Sequence, residues 1–144
     1  MSIKAAIRIK LLATAAVTIK TGSRIYPVGV TPSKRVYPYI TYFRVSSAHE
    51  RHLGGGAKLA HPRFQINVWS LSMDEAELLA ESIRESLDNF SGRIETSNAT
   101  VDIRACFLEG DEDDFEQPRD ATNRGVHSRK LDFVIWHAES ATPA

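Results

Sequence analysis

Three things are scarce in this chain of 144 residues, and each scarcity closes a door. Cysteine occurs once, at Cys106, so no internal disulfide can form, which suits a reducing compartment. A small apolar residue within a strand is its plainer role than a catalytic thiol. Long hydrophobic runs are missing: no stretch approaches the roughly 20 apolar residues of a membrane span. The apolar segment Leu11 to Val17 is broken by Thr14 and follows Lys4, Arg8 and Lys10, so it does not read as a secretory signal. The chain reads as soluble and made in the cytosol. Acids are the third scarcity, in the first half only. Residues 1–70 hold eleven Lys and Arg against one acid, Glu50, a balance of +10. Residues 71–144 hold seven basic residues against seventeen acids, a balance of −10. Such a division points to a charged partner, to halves that face each other in the fold, or to one copy meeting the next.

What is present is ordinary for a single globular domain, 42% hydrophobic and 25% charged. A chain of this length buries about 68–70% of its unfolded surface. Pro38 to Asn89 forms its organising stretch. Tyr39, Thr41, Phe43 and Val45 alternate with Ile40, Tyr42, Arg44 and Ser46; Phe64, Ile66 and Val68 alternate with Arg63, Gln65 and Asn67. A period of two predicts two strands, each burying one side. Residues 48–61 between them are too long for a tight turn and carry Gly54, Gly55 and Gly56, which predicts a hairpin with a long, mobile arm. Ser2 to Ala16 reads as one helix with two apolar stripes. Ile3, Ile7 and Leu11 make one; Ala5, Ile9, Leu12 and Ala16 make the other. Arg24 to Pro27 is a short extended segment, and Val28 to Lys34 a loop. Ser72 and Glu75 form a capping box before the stripe Ala76, Leu79, Ala80, Ile83, Leu87 and Phe90, a helix that Gly92 stops. Val101 to Leu108 and Lys130 to His137 alternate as two further strands. Between them, Glu109 to Glu116 carries six acids in eight residues, a segment expected to be solvated and mobile unless a partner neutralises it.

The expected architecture is therefore α+β: an antiparallel sheet of about four strands with two helices packed on one face and a long hairpin arm. The whole of 1–144 is one domain, with an arm loop at 48–61, an acidic loop at 109–125 and a frayed tail at 139–144.

No catalytic constellation emerges. His49 and His52 lie three apart, with His61 beyond the glycines; this is not the four-residue spacing that sets two metal ligands on one helix face. Exposed loop histidines are the plainer reading. Gly54 to Lys58 lacks the phosphate-loop spacing, and there is no Gly-x-Ser-x-Gly elbow. The acids at 109–116 lack the EF-hand order. No cofactor, metal ligand set or catalytic residue is assigned.

Several stretches, in order, resemble the tail terminator (tail-completion) proteins of long-tailed bacteriophages. They are Ser23 to Pro27, Tyr37 to Ser46, the His52-Leu53-Gly54-Gly55-Gly56 loop, Arg63 to Trp69, the Ala76 to Leu87 helix and Leu131 to Trp136. The resemblance implies a structural, non-enzymatic protomer of a homo-oligomer, a hexameric ring at the neck end of the tail tube. Such a ring terminates tail polymerisation and joins the head connector, with the tail tube protein and the connector as partners. DNA passes through its lumen without specific binding, no membrane is involved, and assembly takes place in the host cytoplasm. The surfaces expected to serve assembly are the arm (His49, Glu50, Arg51, His52, Leu53, Gly54, Gly55, Gly56 and Lys58) and the acidic run. Glu109, Asp111, Glu112, Asp113, Asp114 and Glu116 make up that run, as an interface or a lumen loop. A neck or head–tail adaptor is the alternative. A nucleic-acid module using the basic first half belongs to a different class, but Tyr39, Phe43 and Phe64 sit at alternating positions that read more simply as core. Solution mass separates the two, since a ring must oligomerise.

Overall fold

The alternating segments of the sequence become strands of one sheet in the computed structural model, which describes residues 2–30, 32, 36–46, 49–50, 59–97, 100–116 and 125–138. The strands are β1 (Ile25–Pro27), β2 (Tyr39–Ser46), β3 (His49–Glu50), β4 (Leu59–Ala60), β5 (Arg63–Ser70), β6 (Gly92–Glu95), β7 (Thr100–Glu116) and β8 (Val126–Ala138). The helices are α1 (Ser2–Leu12), α2 (Ala15–Thr21) and α3 (Met73–Leu87).

Register shows that these eight strands lie in fewer rows. Ala60 pairs with His137 and Arg63 with Val134, so β4 and β5 follow one edge of β8 in a single register. Pro62 separates them because it has no N–H to give, while its carbonyl accepts from Ile135 N at 3.0 Å. On the other side of the hairpin, β3 continues β2 past a bulge between Arg44 and Ser46. The rows run β1, β2 with β3, β5 with β4, β8, β7, β6. All pairings are antiparallel except β1 with β2, where Ile25 sits beside Ile40 in parallel.

This corrects the expected four-stranded antiparallel sheet with two helices: among the described residues the sheet is mixed, has eight strands and carries three helices. Three local causes account for the difference. Within the predicted extended segment Arg24 to Pro27, Ile25–Pro27 is a parallel edge strand; α3 ends at Leu87, and Gly92, the expected helix stop, instead opens a strand, Gly92–Glu95, that pairs with β7. The predicted third strand does not end at Leu108 but runs to Glu116. Finally, the N-terminal helix is two helices. Thr14 takes an extended conformation, φ −90° and ψ 104°, while its hydroxyl donates to Lys10 O at 2.9 Å and pairs with Ser86 Oγ at 2.8 Å. A side chain that bonds back to the preceding turn competes with continuation of the helix.

The hydrophobic core lies between the helices and one face of the sheet. Phe64, Ile66 and Val68 of β5, Phe133 and Ile135 of β8, and Leu79, Ile83 and Leu87 of α3 all belong to it. Of the two stripes on α1, Ile3, Ile7 and Leu11 are buried, whereas Ile9 remains 38% exposed. The capping box of α3 closes through an intermediary. Ser72 Oγ accepts from Glu75 N at 3.4 Å. The Glu75 carboxylate instead accepts from Ser70 Oγ at 2.8 Å, and that hydroxyl accepts from Ser72 N at 3.0 Å. Both orphan donors are satisfied, with Ser70, fully buried, as the relay.

Candidate functional site

Two bulges in β7, at Arg104 and Glu109, decide which way its side chains point. Each inserts one unpaired residue and so exchanges the faces of the strand. Val101 and Ile103 face the core, then Cys106 and Leu108, then Asp111, Asp113 and Phe115, opposite Leu131, Arg129 and His127. The acidic run is thus no loop: Glu109 to Glu116 is the distal half of a paired β-ribbon.

Pairing splits the acids into two groups with different chemistry. On the helix-side face, Arg129 Nε donates to Asp111 Oδ1 at 3.0 Å and lies 2.9 Å from Asp113 Oδ1. The Arg129 side chain is only 13% exposed, and its pKa is raised chiefly by the Asp111 hydrogen bond, with burial acting the other way. On the opposite face lie Glu112, Asp114 and Glu116, exposed, with Lys130 Nζ 3.7 Å from Asp114. Glu109 pairs with Arg63 at 2.8 Å, a contact that joins the acidic and basic halves of the chain. Spacing alone treated the six acids as equivalent. The complementary signal was Arg129-Lys130, which meets Asp113 and Glu112 once the ribbon is folded back on itself.

Beside the helix-side group, the start of α3 and the ribbon enclose a cleft of about 540 Å³ lined by Met73, Ala76, Glu77, Phe115, His127 and Arg129, among others. Phe115 lies against His127, centroids 4.6 Å apart, and both Phe115 and Met73 keep much of their apolar surface exposed.

Of the arm, the structure brings His49 and Glu50 into pairing with Ala60 and Leu59. Arg51, His52, Leu53, Gly54, Gly55, Gly56 and Lys58 lie outside the described residues. His61 stacks on Trp136 at 4.2 Å. Among the described residues no three His, Cys, Asp or Glu side chains gather as a metal set. No helix among them is long and apolar enough to cross a membrane. Cys106 is 1% exposed, and burial, aided by the Asp88 charge, pushes its thiol up to about 12. A thiol held protonated in this way is a poor nucleophile.

The face of the sheet away from the helices carries a feature the sequence reading missed. Tyr39 and Phe43, expected in the core, both lie on this second face, Tyr39 buried there. Tyr39 stacks on Trp69 at 6.0 Å and 15° and touches Tyr26 and Tyr37. Trp69 Nε1 donates to Thr41 Oγ1 at 3.0 Å. These residues, with Val28, Gly29, Phe43 and Asn67, line a groove of about 470 Å³. Trp69 at the end of a polar row was the available signal, because a large aromatic on a solvated face needs cover.

A family model described as tail completion protein gp17 matches residues 5–137. No curated protein gives a significant match. Among solved structures, a chain from the virion of a native gene transfer agent particle superposes with a TM-score of 0.65 at 14% identity, covering 95% of each chain. At that identity the likeness speaks for the fold.

Proposed function

The chain belongs to the tail completion protein gp17 family, and on that premise we propose that it closes a virion tail tube as a ring of six subunits. In this reading it is a structural protein of the tail, not an enzyme, and it stops tube growth and presents the joint to the head connector. The extent of the family match, residues 5–137, carries the reading, since it spans elements from α1 to β8.

Ring closure requires two different, complementary surfaces on each protomer. The exposed acids Glu112, Asp114 and Glu116 would supply one. The basic first half, with Lys4, Lys10 and Lys20 on α1 and α2, would supply the other, and complementarity of this kind steers encounter and register. The arm would add a second contact: its stem is paired as far as Glu50 and Leu59, and residues 51–58 would reach a neighbouring subunit. DNA would cross the lumen without specific contacts.

Deleting the gene from its phage tests the proposal. Particles should then show tails of unregulated length, or tails that fail to join heads. Tails of normal length joined to heads would overturn it. Tails of normal length without heads would favour the adaptor role instead.

A further inference from the structure

We propose that the groove on the second sheet face binds the planar amide group of an extended polypeptide segment from a neighbouring protein. Asn67 is the observation that carries this. It is 6% exposed, and its carboxamide oxygen is buried without a hydrogen-bond partner. Its nitrogen reaches only Gln65 Oε1, at 3.5 Å, so one end of the amide lacks a donor whichever way it is turned. Leaving such an acceptor unmet costs its desolvation with nothing in return, and buried polar groups are rarely left so.

Beside it lies the complementary group. Thr41 is the direct cross-strand partner of Asn67. Its oxygen accepts from Trp69 Nε1, which leaves the hydroxyl proton free to donate. An acceptor and a donor side by side are what a peptide unit presents in reverse, with N–H toward Asn67 and C=O toward Thr41. Asn χ2 is a broad torsion, so a small turn brings the oxygen to an arriving N–H. Trp69 and Tyr39 form one wall and Phe43 lies near the other end. At the mouth, Gly29 has φ +98° and open space where a side chain would stand, which leaves a path for an incoming chain.

Charge decides between a peptide and a nucleic acid. Val28, Gly29, Tyr39, Thr41, Phe43, Asn67 and Trp69 are all uncharged, whereas a single-stranded nucleic acid needs a cationic track along its backbone as well as aromatic platforms. A neutral slot with one donor and one acceptor fits a peptide group.

The test uses the full chain labelled with 5-fluorotryptophan, which gives one fluorine signal for Trp69 and one for Trp136 as internal control. Titration with N-acetyl-leucine methylamide should move the Trp69 signal saturably and leave Trp136 in place. Asn67→Ala and Thr41→Val should each weaken that response at least tenfold, while Asn67→Ala keeps or raises the unfolding temperature. Three results would overturn the proposal: no shift, which leaves the groove to water; an unchanged response in both variants; or a Trp69 shift with oligothymidylate and none with the diamide.

Discussion

Asp113 and Arg129 face each other across the β7–β8 ladder, and the same guanidinium also holds Asp111. Of the six acids that looked available for a partner, two are therefore committed within the ribbon, and Glu109 is held by Arg63 of β5. Glu112, Asp114 and Glu116 remain exposed on the other face, with only Lys130, 3.7 Å from Asp114, beside them. Neutralising these three together should weaken oligomer formation at low salt, with the deficit shrinking as salt rises, because exposed charges are screened. Asp111→Asn with Asp113→Asn should act differently, lowering the unfolding temperature by leaving Arg129 without its partners. Equal effects of the two sets on assembly and on melting would refute the division.

A second prediction concerns the core. Ile83 is fully buried in the cluster with Ile66 and Phe133. Ile83→Ala should cost roughly 2–5 kcal/mol, from lost transfer free energy and the cavity left behind. Urea unfolding of the variant measures it, and an unchanged midpoint would place α3 elsewhere.

The relay at the start of α3 gives a third. Ser70→Ala removes the acceptor for Ser72 N and the donor to Glu75 in one step. It should destabilise at least as much as Ser72→Ala, for which about 1 kcal/mol is expected from loss of the cap. A Ser70→Ala protein as stable as wild type would show that Glu75 caps Ser72 directly.

Cys106 sets a fourth, with a definite sign. Burial, with the Asp88 charge beside it, raises its folded pKa to about 12 from the ordinary 9.0. Below pH 9 the thiol is protonated in both states, and its contribution is complete. Between pH 9 and 12 only the unfolded chain ionises, so stability falls by up to about 1.4 kcal/mol per pH unit. Tyr42, raised from 10.0 by burial with Arg8 opposing, acts in the same direction at higher pH. Cys106→Ala should flatten the decline between pH 9 and 10. A decline as steep as wild type would mean that the thiol is not buried.

How far the sequence reached depended on whether a segment's pattern survived pairing. The β5 alternation and the α3 stripe were legible because Phe64, Ile66, Val68, Leu79 and Ile83 point where an unbroken period sends them. In β7 the period was read correctly only as far as Ile103. The bulge at Arg104 then turns Cys106 inward and leaves Phe107 44% exposed, the reverse of strict alternation. Considered alone, the six acids repel one another and predict a solvated loop; their cations stand at 129 and 130, on the partner strand β8. A three-residue parallel edge such as Ile25–Pro27 carries too few residues to show any period.

The central claim, a ring closed by unlike surfaces, is tested most directly by the mass of the purified chain in solution, measured by sedimentation across concentration and ionic strength. A single discrete species near six times 16.0 kDa, dissociating as salt rises, is the predicted result. A monomer at every concentration and salt, or open-ended growth without a limiting size, would contradict it.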